Sequence, residues 1–338
     1  MSIMVTGGAG YIGAHVVRLL LERGEEVIVV DDLSTGRSDR VGAADLVELD
    51  VAGADAQATL ELVMRERAVT GVVHFAARKQ VGESVERPAW YFQQNITGLA
   101  NVVAAMEGAG VQRLIFSSSA AVYGMPDVDL VTEETTPEPI NPYGQTKLVG
   151  EWLIADAARA WGMRTAALRY FNVAGAGWDD LGDPAVLNLV PMVLDRLARG
   201  ERPKIFGTDY PTPDGTCIRD YIHVLDLAHA HLTALDHLAA VDGVDGGDGP
   251  DDAEGTSQVL NVGTGSGASV REVIDMIGTV SGLDASSDVE PRRPGDPPQL
   301  IAAADRIADV LGWRAERGLE EIIASAWQAW QAGPRRIG

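Results

Sequence analysis

The chain begins with a short apolar run that leads into Val5-Thr6-Gly7-Gly8-Ala9-Gly10-Tyr11-Ile12-Gly13, and an apolar helical pattern follows. The order of strand, glycine turn and helix is the context in which Gly8-x-Gly10-x-x-Gly13 indicates dinucleotide binding. Glycine permits a tight turn and lets the backbone approach a pyrophosphate, which the helix N-terminus attracts. We therefore predict a dinucleotide site at the end of the first strand.

The second strand-like run, 27–30, ends at two carboxylates, Asp31 and Asp32. Asp31 lies 18 residues after Gly13. A carboxylate at about this distance accepts hydrogen bonds from a ribose diol and repels a 2′-phosphate. The sequence therefore favours NAD over NADP as the cofactor.

Strand-like and helical patterns alternate through the first half of the chain. We expect further strands at 45–49, 71–75, 113–116 and 164–170, and helices at 54–67, 88–109 and 142–161. This alternation predicts an α/β fold, a Rossmann-type doubly wound parallel sheet with helices on both faces. Ligands of such sheets bind at the carboxyl ends of the strands, where Gly8, Asp31, Ala76 and Ser119 fall. Ala76 and Ala77 are small enough for a cofactor to lie flat against them.

The regular alternation stops after Asn172. We expect residues 1–172, together with about 217–239, to form the NAD-binding Rossmann domain. Residues 173–338 would form a smaller mixed α/β substrate domain, with helices at about 186–199, 224–239, 269–281, 303–311 and 318–331. The acidic, glycine-rich stretch 241–255 predicts a solvated loop. A calcium loop is the alternative, but no bidentate glutamate falls at the required spacing.

Composition excludes several classes of partner. The formal net charge of −22 argues against nucleic acid or an anionic membrane. We expect no membrane span and no signal peptide, because the chain has no run of 18 apolar residues and no basic leader. The single cysteine, Cys217, excludes an intrachain disulfide, so we expect a cytoplasmic protein. We expect no metal site; His74 fits the core, and His229, His231 and His237 lie on one helix.

A second constellation suggests chemistry. Tyr143 and Lys147 are four residues apart, which places both side chains on one face of a helix, and Pro142 suits its first turn. A phenol has a pKa of about 10, so a nearby cation is needed to favour the phenolate. Ser119 follows the strand at 113–116 and would lie at the carboxyl end of the sheet. Together the three residues predict a site for proton transfer beside a nicotinamide.

With these motifs in place, the chain resembles the extended short-chain dehydrogenase/reductase family, and within it the UDP-galactose (UDP-glucose) 4-epimerases. The matching segments run nearly end to end in the expected order: 5–13, 74–84, 117–124, 142–147, 169–172, 205–212, 219–224 and 292–296.

The resemblance implies an NAD-dependent interconversion of UDP-glucose and UDP-galactose. Tyr143 would take the proton of the sugar 4-hydroxyl, and Ser119 would share that hydroxyl's hydrogen bond. Lys147 would hold the nicotinamide ribose and lower the pKa of Tyr143. The resulting 4-keto sugar would turn over while its nucleotide stays anchored, and hydride would return to its other face.

The resemblance also implies the residues of both binding sites. The expected cofactor contacts are Gly7, Gly10, Tyr11, Ile12, Gly13, Asp31, Asp32, Asp50, Val51, Phe75, Ala76, Ala77, Lys79, Gln94, Ser117, Tyr143, Lys147 and Tyr170. The expected contacts with the UDP-hexose are Lys79, Ser119, Tyr143, Asn172, Asn188, Leu189, Phe206, Arg219, Arg293, Asp296 and Leu300. The arginines would hold the diphosphate, whose oxygens a guanidinium fork matches. Asp296 would hold the uridine-side ribose, and Phe206 would flank the uracil.

One position bears on specificity. Leu300 stands where many bacterial relatives carry a tyrosine that narrows the sugar pocket. A smaller side chain leaves room for an N-acetyl group at C2. We therefore expect UDP-N-acetylglucosamine and UDP-N-acetylgalactosamine to be accepted as well.

Other functions of the same fold remain open. Nucleotide-sugar 4,6-dehydratases carry acid and base carboxylates directly after the serine, where this chain has Ala120 and Ala121. A UDP-glucuronate or UDP-pentose 4-epimerase is the nearer alternative. A non-catalytic NAD-sensing protein is a third.

The resemblance further implies a homodimer. The helices at 88–109 and 142–161 would pair with their copies as a four-helix interface. The alternative is that their apolar faces only cover their own sheet.

Overall fold

The structure is a computed structural model that describes residues 1–240, 257–293 and 295–333. Its strands are β1 (Ser2–Thr6), β2 (Glu26–Asp31), β3 (Asp45–Glu48), β4 (Gly71–His74), β5 (Arg113–Ser119), β6 (Arg164–Tyr170), β7 (Asn172–Ala174), β8 (Lys204–Phe206), β9 (Ile218–His223), β10 (Ser257–Val262), β11 (Gly267–Ser269), β12 (Asp288–Glu290) and β13 (Gln299–Leu300). Its helices are α1 (Tyr11–Glu22), α2 (Ala56–Glu66), α3 (Val81–Glu86), α4 (Pro88–Phe92), α5 (Gly98–Ala109), α6 (Pro142–Trp161), α7 (Leu189–Ala198), α8 (Val224–Ala240), α9 (Val270–Ser281), α10 (Asp305–Leu311) and α11 (Leu319–Ala332).

The chain divides into two compact units. Unit 1 comprises Met1–Gly124, Pro137–Arg169 and Ala228–Leu260, and unit 2 comprises Met125–Thr136, Tyr170–Leu227 and Asn261–Gly338. The division after Arg169 lies three residues before the expected boundary, and the chain returns to unit 1 at Ala228 rather than near 217. The predicted acidic loop at 241–255 lies outside the described residues.

A seven-stranded sheet forms the centre of unit 1, in the order β10-β6-β5-β4-β1-β2-β3. Strand β1 pairs in parallel with β2 on one side and β4 on the other, and β4 pairs in parallel with β5. Every residue of β1 is buried, as expected for a parallel strand that is covered on both faces. The predicted doubly wound parallel sheet is thereby confirmed.

Helices cover this sheet with apolar faces. One core cluster of unit 1 joins Met4, Val72 and Leu114 from the sheet to Leu60 of α2 and Leu99 of α5. The predicted long helix at 88–109 is interrupted, because Gln93–Thr97 forms a π-helical turn between α4 and α5.

Unit 2 is built on smaller sheets. Strand β9 is flanked by β11 and β13 and also pairs in parallel with β7, while β8 and β12 form a separate parallel pair. Its core is formed by Val190 and Leu194 of α7, Val273 and Ile277 of α9, and Ile322 of α11. Within the described residues, no helix is long and apolar enough to span a bilayer.

Candidate active site

The glycine turn after β1 has the shape that a dinucleotide requires. Gly7 adopts a φ of +71°, and a Cβ there would lie 2.6 Å from the Ala76 nitrogen. A Cβ on Gly13 would lie 2.3 Å from the Gly7 oxygen. Gly10 is the N-cap of α1 and supplies no side-chain cap, so the first turn of α1 is open to an anion. The turn therefore fits a pyrophosphate, as predicted.

Asp31 is buried at the end of β2. Its Oδ2 accepts a hydrogen bond from the Ala9 amide at 3.0 Å, and its Oδ1 accepts one from the Leu33 amide at 2.9 Å. Burial raises the pKa of Asp31, and the two backbone hydrogen bonds partly offset this effect. An ionised carboxylate offers about four acceptor positions, so two stay available for a ribose diol. The residue fits the predicted selection of NAD.

Arg78, for which the sequence pattern carries no separate signal, also lies in this region. Its Nη2 donates to Asp32 Oδ2 at 2.6 Å, and its Nε donates to Gln94 Oε1 at 3.2 Å. Burial raises the pKa of Asp32, but the hydrogen bonds from Ser34 and the charge of Arg78 outweigh it, so the pKa lies below its ordinary value. Because β2 and β4 flank β1, this ion pair joins the segments that follow these two strands, on either side of the glycine turn.

Three further residues that are expected to contact the cofactor are Asp50, Val51 and Lys79. Val51 is buried, and a Cβ on Gly98 would lie 2.9 Å from the Val51 Cγ2 atom. The Asp50 side chain accepts a hydrogen bond from the Ala52 amide at 2.9 Å. Lys79 is exposed.

Ser119 and Tyr143 meet where β5 and α6 approach each other. Ser119 ends β5, and its Oγ accepts a hydrogen bond from the Ala121 amide at 3.2 Å. Helix α6 begins as predicted with Pro142, and its N-cap Asn141 accepts a hydrogen bond from the Gly144 amide at 2.9 Å. The Ser119 side chain lies close enough to the Tyr143 phenol to lower its pKa.

Tyr143 and Lys147 lie on one face of α6 and are both buried, with 8% and 4% of their surface exposed. Lys147 Nζ lies 5.9 Å from the centre of the Tyr143 ring and donates to the Ser117 carbonyl at 2.8 Å. The two side chains therefore share one helix face, as their spacing predicts, and their catalytic role stays a prediction.

Burial opposes charge on both groups. It raises the pKa of Tyr143, an effect that the Ser119 hydrogen bond partly offsets. It lowers the pKa of Lys147 from 10.5 to about 8, against the charge of Glu151. In the protein alone, Tyr143 therefore holds its proton, and Lys147 is the group that titrates near neutral pH. The expected lowering of the Tyr143 pKa by Lys147 stays a prediction.

Two histidines lie near the end of the sheet. His74 Nδ1 lies 2.7 Å from Thr6 Oγ1, and burial lowers the pKa of His74 to about 3, so it is a neutral core residue, as expected. His231 Nε2 lies 3.3 Å from Ser117 Oγ, and its ring packs at 4.7 Å from that of Phe75. Among the described residues, no group of histidine, cysteine and carboxylate side chains could hold a metal ion. Cys217 is free and buried.

The residues expected to bind the nucleotide lie in unit 2. The guanidinium of Arg293 stacks 3.8 Å from the centre of the Phe206 ring. Arg219 lies 3.5 Å from Asp296, and the register of β9 and β13 places Arg219 opposite Leu300. The structure thus forms two pairs, Arg293 with Phe206 and Arg219 with Asp296, and Leu300 lies opposite Arg219.

The other expected substrate contacts lie at element ends. Asn172 is the exposed first residue of β7, and Tyr170, which is an expected cofactor contact, is the last residue of β6. Asn188 is the N-cap of α7, ahead of Leu189, and its Nδ2 donates to Asp183 Oδ2 at 3.1 Å.

The fold and the site together define an NAD-dependent enzyme of the extended short-chain dehydrogenase/reductase type. Over residues 3–246 the chain matches the NAD dependent epimerase/dehydratase family, and it belongs to that family. It is 43% identical over 333 residues to UDP-glucose 4-epimerase of Corynebacterium glutamicum, covering 97% of this chain and 95% of that protein. The resemblance found in the sequence is confirmed.

Two solved structures are also similar. One is UDP-glucose-4-epimerase from Stenotrophomonas maltophila with bound NAD and formylated UDP-arabinopyranose, at 39% identity and a TM-score of 0.89, covering 98% of each chain. The other is the UDP-Glc/GlcNAc 4-epimerase from Campylobacter jejuni, at 37% identity and a TM-score of 0.82, covering 98% of this chain and 99% of that one.

Proposed function

We propose that this chain is an NAD-dependent isomerase that interconverts UDP-glucose and UDP-galactose by transient oxidation at sugar C4. The observation that carries this function is the meeting of half-buried Ser119 with buried Tyr143 and Lys147 at the carboxyl end of β5, in the same unit as the glycine turn. The cofactor is NAD, that of the family. Bound NAD⁺ supplies a hydride acceptor that returns the same hydride.

Tyr143 takes the proton of the sugar 4-hydroxyl and later returns it. Its pKa is raised by burial, so the phenolate needs a positive charge beside it. Lys147 supplies one such charge at 5.9 Å from the ring centre, and the Ser117 carbonyl holds its ammonium in place. Ser119 donates a hydrogen bond where negative charge develops on oxygen.

Unit 2 holds the UDP moiety. The chain carries a net charge of −22, so an anionic nucleotide needs local cations. We assign the diphosphate to Arg219 and Arg293, whose guanidinium groups can each form two hydrogen bonds to phosphate oxygens. Phe206 flanks the uracil and Asp296 accepts a hydrogen bond from the ribose. Asn172, Asn188 and Leu189 complete this set.

We extend the proposal to the N-acetylated sugars because of Leu300. Its half-buried aliphatic side chain is smaller than a tyrosine and lies opposite Arg219 in the sheet. The similar Campylobacter jejuni protein is named for both kinds of substrate. Leu300→Tyr should lower turnover of UDP-N-acetylgalactosamine at least tenfold relative to UDP-galactose, because of lost space for the acetyl group. An unchanged ratio would refute this extension.

A UDP-pentose 4-epimerase is the second candidate. It is favoured by the Stenotrophomonas maltophila relative, whose structure holds a formylated UDP-arabinopyranose. UDP-glucuronate would need a further cation for its carboxylate. A dehydratase is disfavoured by Ala120 and Ala121, which supply neither acid nor base.

We also propose a homodimer that works in the cytoplasm. Trp152 on α6 is 59% exposed and Phe92 at the end of α4 is 37% exposed, both on the helices expected to pair. Large aromatic side chains are enriched in protein interfaces. Static light scattering should give a dimer for the parent chain and a monomer for Trp152→Glu; a monomeric parent chain would refute the proposal.

Product analysis tests the function. Purified protein is incubated with UDP-galactose, UDP-N-acetylgalactosamine or UDP-arabinopyranose, and the products are separated by anion-exchange chromatography. Formation of UDP-glucose, lost in Tyr143→Phe, is the expected result. Conversion of the pentose alone would transfer the function to the second candidate, and no conversion of any sugar would favour a non-catalytic NAD-binding protein.

A further inference from the structure

Three side chains of helix α6, spaced four residues apart, contact the end of β5. Two of them belong to the site described above. Tyr143 meets Ser119, and Lys147 donates to the Ser117 carbonyl at 2.8 Å. Glu151 continues the same spacing of four along the helix, and it accepts a hydrogen bond from Ser118 Oγ. Three residues of one helix face therefore bind three consecutive residues of one strand.

The third contact is buried and fully satisfied. Glu151 is 5% exposed. Arg169 of β6 donates to it through two nitrogens, from Nε to Oε1 at 2.9 Å and from Nη2 to Oε2 at 2.6 Å. The remaining nitrogen of Arg169, Nη1, donates to the Tyr123 hydroxyl at 2.9 Å. The Glu151 carboxylate thus accepts three hydrogen bonds, two of them from one guanidinium, and it has little freedom to move.

The orientation of the strand explains why Ser118 is the residue that is held. Alternate residues of a strand face opposite sides. The Ser117 side chain faces His231 of α8, so the Ser118 side chain faces α6. The hydrogen bond from Ser118 to Glu151 therefore sets the distance and the register of β5 against α6. It does so at the residue between Ser117 and Ser119, which both belong to the site described above.

Stability alone is a poor explanation for such a pair. Removing two charges from water is costly, and well-packed apolar residues often stabilise a core as well as a buried ion pair does. A buried pair does, however, hold its partners in one geometry. The Glu151–Arg169 pair lies one helical turn after Lys147, where a fixed position of α6 against β5 matters for the reacting groups.

We propose that Glu151, held by Arg169, is a positioning residue of this enzyme: it sets the end of β5 against α6 so that Ser119 and Lys147 stay aligned with Tyr143. This inference rests on the proposed function, because it concerns the reaction assigned to that group. It adds Glu151, Arg169 and Ser118 to the residues on which turnover depends.

The charges around Lys147 give the proposal a distinctive signature. Glu151 and Tyr143 face it on its own helix, neutral His74 faces it from β4, and Ser117 from β5, with Arg169 of β6 behind Glu151. Glu151 raises the pKa of Lys147 while burial lowers it to about 8. Removing the carboxylate charge while the packing is kept should lower this pKa further. Loosened packing would do the opposite, because water would restore the pKa of Lys147 toward 10.5.

The experiment compares Ser118→Ala and Glu151→Gln with Thr165→Val, each as the holoenzyme. Thr165 is a matched control, because its buried hydroxyl on the same sheet lies 2.8 Å from Ser257 Oγ and touches no reacting group. We expect kcat for UDP-galactose to fall roughly tenfold in Ser118→Ala, because small misalignments of reacting groups are costly. KM should stay within about twofold, and Thr165→Val should change neither constant by more than about twofold.

The pH profile of kcat supplies the second measurement. In Glu151→Gln the alkaline limb should move to lower pH, and Glu151→Asp, which keeps the charge, should restore the limb but not the full kcat. The proposal is overturned if Ser118→Ala behaves like Thr165→Val, or if the limb of Glu151→Gln stays in place or moves to higher pH. If Glu151→Gln does not fold, Ser118→Ala alone decides, since it leaves the ion pair intact. A parent enzyme without turnover would refute the proposed function itself, and the inference with it.

Discussion

The structure predicts that Lys147 loses its proton at a lower pH than an ordinary lysine does. Lys147 is 4% exposed, and within the described residues its ammonium donates one hydrogen bond, to the Ser117 carbonyl. Burial lowers its pKa from 10.5 to about 8. At about 1.4 kcal/mol for each pH unit, this shift corresponds to roughly 3 kcal/mol of lost preference for the charged form.

The sign of the linked stability change follows directly. Between about pH 8 and 10.5 the unfolded chain keeps a proton on Lys147 that the folded chain has released. Because the unfolded state binds more protons there, the contribution of Lys147 to the free energy of unfolding rises with pH across this window. Below about pH 8 both states are protonated, and the full cost of burying the ammonium remains.

The assay uses the scarcity of lysine in this chain. Only Lys79, Lys147 and Lys204 are present, so protein labelled with 13C-lysine gives three side-chain signals by NMR. Lys147→Arg identifies the signal of Lys147 by its loss. We expect that signal to titrate near pH 8. A Lys147 signal that titrates at its ordinary value of 10.5 would refute the argument from burial.

Two further substitutions test the binding sites. Gly13→Ala should abolish copurified NAD, since its Cβ would lie 2.3 Å from the Gly7 oxygen. The control Gly82→Ala, where a Cβ meets nothing within 4 Å, should retain the NAD. Equal NAD content of the two variants, measured after acid release, would contradict the assigned turn. Arg219→Met should raise the KM for UDP-galactose roughly ten- to a hundredfold, because it removes charged hydrogen bonds to phosphate. Arg202 is exposed, and the control Arg202→Met should leave this KM unchanged. Similar KM values for both variants would remove Arg219 from the diphosphate site.

Much of this architecture could be predicted because it depends on local periodicity. Strands β1, β2 and β4 are mainly apolar runs of the right length, and the glycine turn and the start of α6 at Pro142 carry their own conformational signals. Tyr143 and Lys147 were found because a helix brings residues four apart together. These features need no knowledge of distant contacts.

The missed residues depend on tertiary pairing. Glu151 carries the pattern of an ordinary helix charge, and only the packing of α6 on β5 and β6 brings it to Arg169. Arg78 meets Asp32 across 46 residues because β2 and β4 flank β1. The π-helical turn at Gln93–Thr97 likewise leaves no mark in a pattern that suits a continuous α-helix.

The central claim is that this site removes a hydride from C4 and returns the same one. UDP-galactose labelled with deuterium at C4 is incubated with the enzyme in ordinary water, and the UDP-glucose formed is analysed by mass spectrometry and NMR. The account predicts that the deuterium is retained at C4 of the product, and that Tyr143→Phe forms almost no product. Product that has lost its deuterium to the solvent would contradict the account, because it would require proton exchange at C4 instead of hydride return.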